Sequence, residues 1–206
     1  MFFKSRRKAG KRPDPLVLTV APAPGLFAGT MIATPDCVKP VEDLCLGDAV
    51  LTLENGAQEI TGLEKAALSV ASHAAAAEHW PLLIPQGVLQ NNASLTVAPS
   101  MRLVLEDRVA GRLFGHNQVS LRAVNLVGYR GIARAQVARH MAHVTLQFDA
   151  PQIITAQGGV RFDLADAAQV HNVMPLSDRQ ARQFMRELTT GGRIARPNNR
   201  PGLAWI

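Results

Sequence analysis

Cysteine is nearly absent from this 206-residue chain: only Cys37 and Cys45 are present. Two thiols build neither a disulfide framework nor a four-thiolate metal site. No apolar run approaches the roughly 18 residues of a transmembrane helix, so an integral helical membrane protein is excluded. No Walker or dinucleotide-binding glycine pattern occurs. Gly158-Gly159 closes a strand instead of opening a helix, which argues against a phosphate cradle. Charged residues are only 18% and aromatics 5%. Hydrophobic residues, at 47%, are plentiful enough for a core and exclude wholesale disorder. Sixteen glycines and 13 prolines favour many short strands over a helical bundle.

The net charge of +6 is concentrated at the ends. Lys4, Arg6, Arg7, Lys8, Lys11 and Arg12 face only Asp14 within residues 1–15, and six arginines face Asp178 and Glu187 within 175–206. The stretch between is slightly acidic. Such tails can contact nucleic acid or anionic lipid non-specifically through those N-terminal basic residues. A solvated terminus is the favoured reading, because only Phe2 and Phe3 accompany the arm for base stacking. The apolar stretch Leu16–Ala21 is too short for a signal peptide, and Pro22 and Pro24 interrupt the chain directly after it. A cytoplasmic location is therefore expected, with secretion still open.

Residues 1–24 read as a basic, proline-containing arm, 25–164 as a β domain, and 165–206 as a helix with an Arg- and Pro-rich tail. Leu16–Val20 reads as an early strand. Ser72–His79 is too short for a stable isolated helix and reads as a loop or single turn. Ala49–Leu53 is strand-like, Asn55-Gly56 is a strong hairpin signal, and Ile60–Val70 is the expected return strand. Val119–Val127 is ambiguous between strand and short helix, whereas Val144–Phe148 alternates cleanly. Near the C-terminus, Ser177 and Gln180 have capping-box spacing, and Ala181, Phe184, Met185 and Leu188 form one apolar stripe. This is the one helix expected.

Three blocks carry a family resemblance. The first is Leu26-Phe-Ala-Gly-Thr30, Ile32-Ala-Thr-Pro35, Val41-Glu-Asp-Leu44 and Gly47-Asp-Ala-Val-Leu-Thr52. The second is Leu95-Thr-Val-Ala-Pro-Ser-Met-Arg-Leu-Val-Leu105. The third is His143-Val-Thr-Leu-Gln-Phe-Asp149 with Ile153-Ile-Thr-Ala-Gln-Gly158. Together they resemble the bacterial Hint (hedgehog/intein) family over about residues 25–164. The resemblance implies an all-β, horseshoe-like fold with pseudo-two-fold symmetry. It also implies self-processing, in which a Cys or Ser opening the domain attacks the preceding carbonyl and starts cleavage or splicing. That chemistry needs a nucleophile, a proton-transfer group and oxyanion donors.

Matched position by position, the nucleophile falls on Gly25, the middle-block hydroxyl on Ala98, its histidine on Met101, and the last-block histidine on Pro151. None of these four residues has a side chain that can attack a carbonyl or transfer a proton at neutral pH. No intact catalytic residue, cofactor or metal ligand is therefore expected. The resulting expectation is a degenerate Hint domain that keeps the scaffold without the acyl shift. The alternatives are an active domain cleaving near Pro24–Gly25, and a nucleic-acid or anionic-membrane binder acting through its basic ends.

The remaining candidates are weaker. Cys45, between Leu44 and Leu46, reads as buried and inert, and Cys37 as a turn residue with no base beside it. His140 and His143 form an H-x-x-H with no third ligand nearby, which reads as one exposed and one packed histidine. Gly47-Asp48 reads as a tight turn closed by a side-chain-to-backbone hydrogen bond.

Overall fold

The computed structural model describes residues 25–69, 80–135, 140–164 and 173–191. The basic arm, the Leu16–Val20 strand, the 72–79 turn and the Arg-rich tail lie outside them. Among the described residues, fifteen short strands run in chain order. They are β1 (Leu26–Phe27), β2 (Met31–Ala33), β3 (Val38–Pro40), β4 (Ala49–Leu51), β5 (Ala57–Glu59), β6 (Gly62–Ser69), β7 (Leu82–Ile84) and β8 (Leu95–Val97). After them come β9 (Arg102–Glu106), β10 (Gln118–Arg122), β11 (Ala133–Arg134), β12 (His140–Gln147), β13 (Ile153–Thr155), β14 (Arg161–Asp163) and β15 (Met174–Pro175). Two α-helices accompany them among the described residues, α1 (Arg108–Phe114) between β9 and β10 and α2 (Asp178–Gly191) after β15.

A six-stranded sheet has the order β11-β7-β8-β1-β12-β6, and a five-stranded sheet the order β13-β14-β9-β10-β15. Two hairpins, β2-β3 and β4-β5, complete the strand pairing. The domain is thus all-β in character, as the short apolar runs and turn signals imply. β1 has only two residues, yet it lies between β8 and β12 in the middle of its sheet. Leu26 and Phe27 are consequently both buried, although they point to opposite faces.

The hairpin after β4 closes sooner than the sequence suggests. Leu51 pairs with Ala57 in β5, and Thr52 N donates to Gly56 O at 2.8 Å. Ile60–Val70 is therefore not the return strand. Gly62–Ser69 forms β6 and pairs along its whole length with β12 instead. The ambiguous 119–127 stretch resolves into β10 followed by a 3-10 turn over Ala123–Leu126.

α1 is a second helix that periodicity did not reveal, because it is only seven residues long. Its end signals were present in the chain. Asp107 accepts a hydrogen bond from Val109 N at 2.7 Å, and Gly115 ends the helix at φ 78°. At α2 the capping box forms as expected. Ser177 N donates to Gln180 Oε1 at 3.0 Å, and Gln180 N reaches Ser177 Oγ at 3.4 Å. Ala181, Phe184, Met185 and Leu188 enter the main core beside Leu121 and Leu126, so the stripe docks on the β body. Arg122 clamps Asp178 at the helix start, and Asn125 adds a hydrogen bond at 3.2 Å. Arg122, followed by Asn125, holds the Asp178 carboxyl below its usual range.

The five-stranded sheet carries a buried polar cluster. Ser120 Oγ donates to Asp163, and Arg102 Nε lies 2.9 Å from that hydroxyl and 3.5 Å from the carboxylate. The same guanidinium donates to the carbonyls of Ser120 and Leu176, so one side chain ties β9, β10, β14 and the approach to α2 together.

Candidate functional site

The site implied by the resemblance begins at Gly25, just before β1. Leu26 pairs with Val97 of β8 on one side and with Val144 of β12 on the other. One step further along the β8 register, Ala98 faces Gly25. A turn comes next, in which Met101 N donates to Ala98 O at 3.0 Å, and both side chains are fully buried. The short central strand thus carries the first and middle blocks to one place, although they are far apart in sequence. Pro151 behaves differently. It is exposed in the connection between β12 and β13, well past the part of β12 that pairs with β1.

The histidine beside Gly25 is His143, on β12. Its ring packs edge-on against Phe27 at 5.6 Å between centroids, and the residue is only 4% exposed. A Cβ added at Gly25 would collide with Cε1 of the imidazole and lie 2.5 Å from Nε2. The ring therefore fills the space into which a side chain at position 25 would project. Burial holds the imidazole below its ordinary pKa, an effect partly offset by a hydrogen bond with the Gly25 main chain and by the charge of Glu64. Nε2 has no hydrogen-bond partner.

The sequence leads to one packed and one exposed histidine in the H-x-x-H pair without saying which, and gives neither a role; His143 is the packed one. The only signal available was its place in the third block, and the neighbour that matters lies more than a hundred residues upstream. The side chain of its partner in the H-x-x-H motif, His140, lies outside the described residues. No cluster of three or more metal-ligating side chains occurs among the described residues.

The turn after β1 is built firmly. Gly29, at φ 84°, donates its N–H to both carboxylate oxygens of Glu42 at 2.8 and 3.0 Å. Buried Thr30 returns its hydroxyl to Phe27 O at 2.7 Å. Glycine is needed at 29 because that φ disfavours any residue with a Cβ. The Glu of the Val41-Glu-Asp-Leu44 motif is thus a clamp on the β1–β2 turn.

Both cysteines lie on the surface. Cys45 is not buried between its apolar neighbours, because Leu46 itself is 67% exposed on the same turn. Asp48 closes that turn as expected, accepting from Cys45 N at 3.1 Å and from Lys39 Nζ at 3.2 Å. The Cys45 N–H, then Lys39, hold the Asp48 carboxyl below its usual range. Neither thiol touches Gly25 in any observed hydrogen bond or ring contact. Among the described residues no helix is long and apolar enough to cross a membrane. The basic arm, with Lys4, Arg6, Arg7, Lys8, Lys11 and Arg12, lies outside the described residues.

This body of short paired strands agrees with the all-β fold that the sequence resemblance implies. The Hint domain family model matches residues 24–161, and the chain belongs to that family. Among solved structures, the chain is similar to a splice-inactive variant of the AceL NrdHF class 3 split intein. They share 15% identity and a TM-score of 0.43, over 67% of this chain and 95% of that one. It is also similar to a bacterial intein-like domain from Clostridium thermocellum, at 12% identity and a TM-score of 0.46, over 68% of this chain and 98% of that one. No curated protein matches the chain.

Proposed function

We propose that this protein is a Hint domain that retains the scaffold of self-processing domains but does not carry out the acyl shift. The observation that supports this most is the filled space at Gly25. Position 25 lacks an attacking atom, and the buried His143 ring stands where a cysteine or serine side chain would have to sit. The partners of such a nucleophile are missing as well. Ala98 supplies no hydroxyl and Met101 no proton-transfer group, although both hold their places in the core. Losing a single oxyanion donor costs about 10²–10³ in rate, whereas losing the nucleophile leaves no covalent step to accelerate.

One observation favours the alternative, scission near Pro24–Gly25. An imidazole does touch Gly25, so a proton-transfer group adjoins that junction. Intact mass spectrometry of the full chain, incubated at neutral pH with and without added thiol, separates the two. An unchanged full-length mass is expected. A fragment beginning at Gly25 would show that the domain cleaves itself.

A further inference from the structure

His143 combines three features that a core side chain does not ordinarily show together. It is an ionisable ring, it is 4% exposed, and one of its nitrogens is unpartnered. Its contacts are Phe27, in the short strand β1, and Gly25 just before it. That strand is held to β12 by very little: the Leu26–Val144 and Phe27–His143 pairs and the bond from Ala28 N to Ala142 O at 3.0 Å.

We infer that His143 is an acid-sensitive latch on β1, closed while the imidazole is neutral and released when it takes a proton, so that acidity opens the junction around Gly25. A proton on Nε2 would place a charge on a buried nitrogen that has no hydrogen-bond partner, in a ring packed against Phe27 and over Gly25. Relief comes only by moving the ring to water, and that requires β1 and β12 to part at this end.

The surroundings offer the charged ring little. Phe27 of β1 meets the ring, and Gly25 just before it supplies the main-chain hydrogen bond that favours the charged form; on β8, Thr96 lies in register with Phe27 and Ala98 with Gly25. Neither strand brings a charged group. On β6, Ala66 is the direct partner and Glu64 lies two residues along the same face. Glu64 is exposed and is the weakest of the influences on the ring. Lys65 alternates to the other face and donates to Glu42 O at 2.6 Å, and Glu42 is itself engaged with Gly29. Met141 and Thr145 on β12 do not ionise.

The sign is set by where protons bind. The opened form carries a histidine of ordinary affinity, near pH 6.5, whereas the closed form resists protonation. Above that pH both forms are neutral and the latch is fully closed. As pH falls from about 6.5 toward the lowered value of the buried ring, opening gains roughly tenfold per pH unit, and it levels off below that value. This inference goes beyond the loss of the acyl shift and holds whether or not the chain cleaves itself.

The test is amide hydrogen exchange on the full chain by NMR from pH 7.5 to 4.5, corrected for intrinsic rates, with the His143 ring titration followed in the same samples. The expected result is a ring midpoint below 6.5 and a selective loss of protection at Ala28 and Val144. Val119 and Leu121 in the other sheet keep theirs, and His143→Gln abolishes the pH dependence. Three results overturn the proposal: a ring that titrates normally, β1 protection that does not change with pH, or protection lost equally in both sheets. If His143→Gln does not fold, the wild-type ring and amide titrations decide the matter alone.

Discussion

The sharpest consequence of the contact at Gly25 is that the smallest possible substitution there is harmful for a reason outside its own strand. Gly25 is not among the glycines with positive φ, so its backbone accepts an L-residue. Taken alone, Gly25→Ala should stabilise the protein by about 0.4–1 kcal/mol, because alanine restricts the unfolded chain. The added methyl, however, would enter the His143 ring, which is buried and braced by Phe27. Forcing one extra carbon into a packed core costs about 1–3 kcal/mol. The overlap here is with ring atoms and not with the free end of a flexible chain, so the upper part of that range applies. The net expectation is a loss of roughly 1–2 kcal/mol, a fall of about 2–8 °C in Tm for a chain of this size. In a His143→Ala background the same substitution meets open space and should become neutral or stabilising. Thermal and urea unfolding of the four proteins of this double-mutant cycle gives the coupling directly, with an expected interaction of about 1.5–3 kcal/mol. If Gly25→Ala raises Tm in the wild type, or behaves the same in both backgrounds, His143 does not fill the position-25 space and the steric argument fails.

Other parts of the molecule lead to two more expected outcomes. In the Ser120–Asp163–Arg102 cluster, Arg102→Met should cost about 3–5 kcal/mol, because it strips a cation from a buried carboxylate. Ser120→Ala removes one hydroxyl donor and should cost only about 1–3 kcal/mol, so urea unfolding that ranked the two the other way would contradict the assigned roles. Both thiols should react with a colorimetric disulfide reagent in the folded protein, giving two equivalents without denaturant; a slow second equivalent would place Cys45 or Cys37 inside the fold.

Much of the framework can be read along the chain, because it is written in short-range chemistry. Ser177 and Gln180 specify the start of α2 by local hydrogen bonds, and the 3.6-residue spacing of Ala181, Phe184, Met185 and Leu188 specifies its buried face. Gly47-Asp48 closes its turn as such a pair does. The three motif blocks identify the family, since their order does not depend on which strands pair. Local signals fail where two pairings compete. Asn55-Gly56 marks the hairpin, but only the register with β12 shows that Gly62–Ser69 belongs to another sheet. Cys45 between two leucines looks buried until the turn swings Leu46 outward as well.

The candidate site divides in the same way. That Gly25, Ala98, Met101 and Pro151 lack reactive atoms is a property of composition, legible in the sequence alone. The identity of the group beside Gly25 is a property of strand order. β1 lies between β8 and β12, and that arrangement brings Ala98 near, leaves Pro151 on the surface and presses His143 into the vacant side-chain position. No periodicity or spacing encodes that last contact, because it joins residues more than a hundred positions apart through sheet hydrogen bonds that any side chain would permit. The sequence determined which atoms the junction lacks; the tertiary structure alone decided which atoms took their place.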